Sequence, residues 1–294
     1  MNVFILGCTG FIGSAVAARL AAAGHTVTGL AHNETAGATL EGRGYGIVRG
    51  QLGDGDVLAA AATGADAVVW AVNPDPSIAG TLPDVIGGLL GALSGSDKPF
   101  AYAGGAALYS DTGEGAADES WPLLDMPMVS LFVQLERMVV DSAAQGVRSI
   151  ALRQAIAYGH GGSASVLGLI GHARQTGAAP YVGSGEVKIS TVHVDDLAGL
   201  YEQALSSAPP GTVLNAAADP PVTGRELAEA VAVAAGVDAT TSVDPAQAMQ
   251  LLGPAGFILA KSAHISAAKA EQLLGWQPSG PSLIEELTSG SYRS

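Results

Sequence analysis

An α/β fold built on a doubly wound parallel sheet is predicted by three features of the chain. The apolar run Val3-Phe4-Ile5-Leu6 ends in a turn with glycines at 7, 10 and 13, then passes into Ser14-Ala15-Val16-Ala17-Ala18-Arg19-Leu20. That order reads as strand, tight turn and helix. Apolar runs and helical patterns alternate through the first half, as strand-helix-strand units require. The run Ala67-Val68-Val69-Trp70-Ala71-Val72 is apolar throughout, which suits a parallel strand covered on both faces.

Taken in order, the first helix reads to about Ala23 and stops at Gly24, where a C′ glycine belongs, ahead of the β-rich Thr26-Val27-Thr28. A third strand is expected over Tyr45 to Arg49, a helix over Val57 to Ala62, and strands at residues 67 to 72 and at Phe100-Ala101-Tyr102-Ala103. Val129 to Ala144 has helical periodicity, closes near Gly146, and precedes a sixth strand at Ser149-Ile150-Ala151-Leu152. Six strands with intervening helices and right-handed crossovers give the doubly wound sheet. Further on, Thr223-Gly224-Arg225-Glu226 is a capping box for a helix ending at Gly236, and Ser266 opens another that ends at Gly275-Trp276. Long loops are expected at residues 73 to 84, 104 to 127 and 159 to 164, where function concentrates. The chain divides into a dinucleotide-binding domain, residues 1–155, and a smaller C-terminal substrate-binding region, residues 156–294, partly interleaved with the sheet.

Composition narrows the function classes. The chain has 294 residues, 48% of them hydrophobic, yet no stretch reaches the roughly 18 uncharged apolar residues of a membrane span. A net charge of −14, with 13 Lys and Arg against 27 Asp and Glu, argues against nucleic acid and anionic membranes as partners. Cys8 is the single cysteine, so no internal disulfide forms, and the start Met1-Asn2-Val3-Phe4 lacks a basic n-region. Cytoplasm is the expected compartment. No His, Cys or carboxylate cluster shows metal-ligand spacing in the sequence, and no metal is expected.

Four motifs carry a family resemblance. Gly7-Cys8-Thr9-Gly10-Phe11-Ile12-Gly13 is similar to the GxxGxxG turn of the extended short-chain dehydrogenase/reductases of the NAD-dependent epimerase/dehydratase type. Leu152-Arg153-Gln154-Ala155-Ile156-Ala157-Tyr158-Gly159 resembles that family's LRPxxxYG, Val192-His193-Val194-Asp195-Asp196-Leu197-Ala198 its HVDDLA, and Leu274-Gly275-Trp276-Gln277-Pro278 its LGWxP. The resemblance spans nearly the whole chain and implies a Rossmann-type fold. In its chemistry the chain departs from the pattern. The family's acid-base set is a Ser or Thr after the fifth strand and a Tyr-x-x-x-Lys pair on the next helix. Aligned on Glu136, those positions hold Met128 and Phe132, and the Ser/Thr region reads Ala103-Gly104-Gly105-Ala106. No tyrosine in the chain has a lysine four residues after it.

By the same resemblance, a dinucleotide is expected along Gly7, Thr9, Gly10, Phe11, Ile12 and Gly13, past Ala71, Val72 and Asn73, with its nicotinamide near Gly104, Gln154 and Ile156. Gln51 and Leu52 stand beside the adenine. Ala31 occupies the place of the acid that selects NAD, while His32 and Asn33 can donate to a 2′-phosphate, so NADP(H) is the expected cofactor. Gly105, Met128, Phe132 and His160 are expected to line an apolar pocket for a small-molecule substrate. Tyr109 and Tyr158, each following a strand end, are the candidate proton donors.

Without the Tyr-Lys pair, carbonyl chemistry by the family's usual route loses about 10²–10⁴ in rate. An iminium ion accepts hydride without protonation, and an activated C=C takes its proton from elsewhere. The expected function is therefore an atypical NADPH-dependent reductase of a small hydrophobic iminium, activated alkene or carbonyl, in specialised metabolism. A non-redox cyclase or isomerase, and a catalytically silent NADP(H) sensor like the NmrA-type relatives, are the alternatives. His193 reads as a turn-holding residue, Asp195 and Asp196 as helix N-terminal residues, and the apolar face of Val129 to Val140 allows a homodimer.

Overall fold

In a computed structural model, residues 1–73 and 76–293 are described, the side chains of Pro76, Met128 and Pro254 excepted. The first half runs β1 (Asn2–Leu6), α1 (Phe11–Ala22), β2 (Thr26–Ala31), α2 (Glu34–Gly42), β3 (Gly46–Arg49), α3 (Gly55–Gly64), β4 (Ala67–Trp70), α4 (Leu82–Leu93), β5 (Pro99–Gly105), α5 (Pro127–Asp141) and β6 (Arg148–Gln154). The second half adds β7 (Ile156–Tyr158), α6 (Ala164–Thr176), β8 (Ala178–Val182), β9 (Lys188–His193), α7 (Val194–Ser207), β10 (Thr212–Ala216), β11 (Ala218–Thr223), α8 (Gly224–Ala235), β12 (Ala239–Val243), α9 (Pro245–Leu252), α10 (Pro254–Leu259), α11 (Ala268–Leu274) and α12 (Leu283–Thr288).

Seven parallel strands form the main sheet in the order β10-β6-β5-β4-β1-β2-β3. Strand order reverses between β1 and β4, and a crevice opens at the carboxyl ends of strands at such a switch point. Both faces are dry because the strands are apolar on both sides. Val3 and Ile5 of β1 enter a core shared with α1 and α7, whereas Phe4 and Leu6 enter one shared with α3, α4 and α5. A third core lies between α6, α8 and the two small sheets, β11-β9-β7 and β12-β8.

The sheet has one strand more than the expected six. β10 comes from the second half and pairs with β6 over Thr212↔Ile150 to Ala216↔Gln154. Its run Thr212-Val213-Leu214-Asn215-Ala216 is short and interrupted by Asn215, so periodicity alone does not announce it. The expected loop at 73 to 84 is also shorter than anticipated. Pro76–Thr81 is a 3₁₀ turn, and α4 begins at Leu82 with proline in its first turn, where a missing N–H costs nothing.

The helix ends in the second half follow their sequence signals. Thr223 and Glu226 form a reciprocal capping box on α8, which closes at Gly236 with φ +72°. α11 begins at Ala268, two residues later than Ser266 suggested, and ends on Gly275 at φ +69°. Among the described residues no helix is long and apolar enough to cross a membrane.

Candidate active site at the carboxyl edge of the sheet

The glycine turn sits at the switch point, and its three glycines have different reasons. Gly7 has φ +83°, and a Cβ there would lie 2.3 Å from the Ala71 carbonyl oxygen. A Cβ on Gly13 would lie 2.1 Å from the carbonyl oxygen of Gly7. Both are therefore demanded by the turn's own packing. Gly10 differs, because its φ of −76° suits any residue and a Cβ would meet only the Gly7 oxygen, at 3.2 Å. What a side chain at Gly10 would fill is the space beside the first turn of α1. That helix has no side-chain cap, so its leading N–H groups at Phe11 and Ile12 stay available to an anion. An uncapped helix start beside an open glycine fits a dinucleotide pyrophosphate. Cys8 lies beneath the turn, fully buried, and burial pushes its thiol up to about 11 against the nearby Arg43.

At the carboxyl end of β2, Ala31 is buried and His32 is exposed. Asn33 accepts the Ala36 N–H at 2.8 Å through Oδ1 and so caps α2, leaving its amide nitrogen 2.9 Å from His32 Nε2. Gln51 Nε2 donates to the His32 carbonyl at 2.7 Å, and Leu52 packs partly buried against the core behind it. Sequence reasoning missed Arg49. β3 pairs it directly with Ala31, and its exposed guanidinium has Glu34 3.6 Å away. A cation at the end of the neighbouring strand is the signal that would have found it.

Ala71 donates to the Leu6 carbonyl at 2.9 Å, so Ala71, Val72 and the exposed Asn73 leave β4 beside the glycine turn. On the other side, Gly104 pairs with Arg153 and Gly105 with Gln154 across β5 and β6. Gln154 Oε1 is buried and has no hydrogen-bond partner among the described residues, while Ile156 opens β7 against Thr191. Below Gly104, Glu136 receives Arg153 Nη2 at 2.6 Å and Nε at 3.0 and 3.1 Å. Phe132 lies one turn before Glu136 and hence on the same face of α5, nearer the strands' carboxyl ends, and is 39% exposed. The Met128 side chain falls outside the described ones.

Both candidate proton donors require correction. Tyr109 is fully buried, with its hydroxyl donating to Asn215 Oδ1 at 2.7 Å and accepting from Arg153 Nη1 at 2.7 Å. Tyr158 is 1% exposed and donates to the Pro281 carbonyl at 2.7 Å. Burial raises both phenols above their ordinary value. Tyr109 follows β5 as expected, whereas Tyr158 is the last residue of β7 itself, and at both places the ring turns inward. Sequence reasoning also passed over Lys261, which donates to the Tyr109 carbonyl at 2.7 Å and whose ammonium burial holds below its usual range, with Asp111 opposing.

The HVDDLA and LGWxP motifs turn out to be one structure. Asp196 accepts the backbone N–H groups of Ser279 and Gly280 at 3.0 and 2.9 Å, and its own carbonyl accepts the Trp276 indole N–H at 2.9 Å. His193 caps α7 by accepting the Asp195 N–H at 3.3 Å. His160 stands exposed at φ +51° and pairs with the Asp195 carboxylate at 2.9 Å. Its loop rests on the glycine turn, since a Cβ on Gly162 would fall 2.4 Å from the Phe11 ring.

Comparison with known proteins agrees with this geometry. Residues 3–81 match the NAD dependent epimerase/dehydratase family. The uncharacterized protein C2A9.02 of Schizosaccharomyces pombe is 29% identical over 99% of this chain and 100% of its own length. Among solved structures, dTDP-glucose 4,6-dehydratase from Bacillus anthracis in complex with NAD superimposes with a TM-score of 0.79 at 17% identity, over 99% of this chain and 95% of that one. UDP-glucose 4-epimerase from Thermus thermophilus, also complexed with NAD, gives 0.77 at 22% identity, over 100% and 99%. The match to the NAD dependent epimerase/dehydratase family thus lies at the nucleotide-binding end of the chain, and the solved structures share its fold along the rest.

Proposed function

We propose that the protein is an NADPH-dependent reductase of small hydrophobic substrates that need no proton from a Tyr-Lys pair. The observation that carries this reading is Phe132, an exposed ring on the face of α5 where the resembled enzymes keep a lysine, above a carboxyl edge whose glycine turn fits a dinucleotide. When bound, the reduced nicotinamide supplies a hydride. The turn and the start of α1 hold the pyrophosphate, the unpartnered Gln154 oxygen offers an acceptor to the carboxamide, and Arg49 with His32 meets a 2′-phosphate that Ala31 does not repel. On this reading the exposed Phe132 ring and Gly105 are the apolar surface offered to the substrate near Gly104. With both tyrosine hydroxyls committed to structural hydrogen bonds, an iminium carbon, or an activated alkene protonated by water, is the favoured acceptor. The relatives solved with NAD support a nicotinamide dinucleotide, and the choice of NADP rests on the end of β2 and Arg49.

The same committed hydroxyls favour a second reading, a silent NADP(H)-binding sensor. One experiment separates the two. Incubation with NADPH and a panel of cyclic imines and enones is followed by absorbance and product analysis. Oxidation in step with formation of reduced product is expected. Conversion without oxidation identifies a non-redox isomerase or cyclase, and binding without conversion of any ligand replaces the reductase with the sensor.

A further inference from the structure

At the carboxyl ends of β7 and β9, which pair Tyr158 with His193, the fold brings His160 to two metal-ligating side chains remote from it in the sequence, His193 and Asp195. One ligand atom from each of His160, His193 and Asp195 lies within 4.8 Å of the other two. We propose that this cluster binds a divalent transition-metal ion of the Zn²⁺ class through His160 Nε2, His193 Nδ1 and one Asp195 carboxylate oxygen. Asp195 Oδ2 is 2.9 Å from His160 Nε2 and 3.7 Å from His193 Nδ1. Ligand atoms about 2.0–2.2 Å from a tetrahedral ion stand roughly 3.3–3.6 Å apart. The two separations bracket that spacing, and small rotations of the exposed partners close it.

The buried histidine is prepared for the role. His193 Nδ1 accepts a long hydrogen bond from the Asp195 N–H at 3.3 Å, so this nitrogen carries no proton, and an ion bound there would displace that weak bond. Its Nε2 lies 3.9 Å from Glu286 Oε1, on the side where a carboxylate favours the proton. A carboxylate behind the far nitrogen is the usual support for a metal-binding imidazole. His160 is held in place rather than swinging free. Gly159 donates to the Tyr292 hydroxyl at 2.9 Å, that hydroxyl donates to the Gly162 carbonyl, and Gly161 donates to Ser291 Oγ at 2.7 Å. The start of α7 disfavours a cation through its dipole, but Asp195 and Asp196 in the first turn and Glu286 opposite outweigh it. Two imidazoles and one carboxylate select a borderline-soft ion over Mg²⁺ or Ca²⁺. His160 and Asp195 are 64% and 60% exposed, which leaves room for water at a fourth position. Such an ion would tie the loop resting on Phe11 to the start of α7.

Metal-stripped protein titrated with Zn²⁺ in a calorimeter tests the site, with Co²⁺ as a visible-absorption probe of tetrahedral geometry. One equivalent is expected, and His160→Gln or Asp195→Asn should weaken it by about tenfold or more. His264→Gln, which alters the separate His264–Asp219 pair, should not. Histidine-ring NMR of the wild type keeps the test decisive if a variant folds poorly. Signals of His160 and His193 should move on adding Zn²⁺, while those of His25 and His172 stay. Absence of binding, binding equal in wild type and both folded variants, or one bound equivalent with the His160 and His193 signals unmoved overturns the proposal.

Discussion

Arg153 on β6 and Glu136 on α5 face each other across a dry interval, Nη2 to Oε1 at 2.6 Å, with side chains only 7% and 5% exposed. The remaining guanidinium nitrogen donates to the Tyr109 hydroxyl and to the Glu119 carbonyl, so each of the three nitrogens has a partner. A buried pair of this kind holds geometry more than it adds stability, and removing one partner strands the other. Arg153→Met should cost about 3–5 kcal/mol. Adding Glu136→Leu should recover part of that loss, as read by denaturant unfolding.

Tyr109→Phe separates a structural hydroxyl from a catalytic one. Its loss takes the donor from Asn215 Oδ1 and one of the two acceptors from Arg153 Nη1, for about 1–3 kcal/mol of stability. Turnover should change by less than about tenfold, against the 10²–10⁴ that a proton donor would lose. Tyr158→Phe should behave alike, since its hydroxyl serves the Pro281 carbonyl. Steady-state rates beside melting curves distinguish the outcomes, and a stable variant with a rate loss of donor size restores that tyrosine as the acid.

The glycine turn predicts a split between folding and binding. Gly13→Ala forces a Cβ against the Gly7 carbonyl and should cost about 1–3 kcal/mol before any nucleotide is added. Gly10→Val should leave the apo protein close to wild type in stability yet abolish nucleotide binding, because its branched side chain occupies the open space beside α1. Fluorescence titration with NADPH and thermal unfolding without it read the two effects separately.

Much of this organisation was legible in the sequence for local reasons. The glycine turn, the continuous apolar β4 and the capping box of α8 each state their structure within a few residues. β10 was not legible, because a short strand interrupted by Asn215 acquires its place only by pairing with β6. The roles of Tyr109 and Tyr158 were hidden for a related reason. Sequence shows that a tyrosine follows a strand, but which way its hydroxyl turns depends on Asn215 and Pro281, remote in the chain. Asp196 and the Trp276 segment likewise read as two motifs until folding docks them.

Cofactor preference should depend on Arg49. Among the described residues its one ion-pair partner is the 95% exposed Glu34, a pairing worth little in water, so the guanidinium can turn to a phosphate at the end of β2. Arg49→Gln should weaken NADPH binding by about tenfold, the scale of one lost charge-assisted contact, while leaving NADH unchanged. Equal loss for both nucleotides would make Arg49 a structural residue. Unchanged NADPH affinity would leave His32 as the phosphate contact.

Acid stability should report on Glu286. Burial pushes its carboxyl up, but the Ser291 N–H at 2.9 Å, the Ser291 hydroxyl and the imidazoles of His193 and His160 outweigh burial and hold it below its ordinary value of 4.5. A group depressed in the folded state binds its proton more readily when unfolded. Its contribution is therefore complete above about pH 4.5 and disappears as the pH falls through the lower folded value. Glu286→Gln removes that titration, so unfolding free energy measured from pH 6 downwards should fall less steeply in the variant, with the difference confined to the acid end. Parallel curves for the two proteins below pH 4.5 would show that Ser291 and the two histidines do not stabilise the ionised carboxylate.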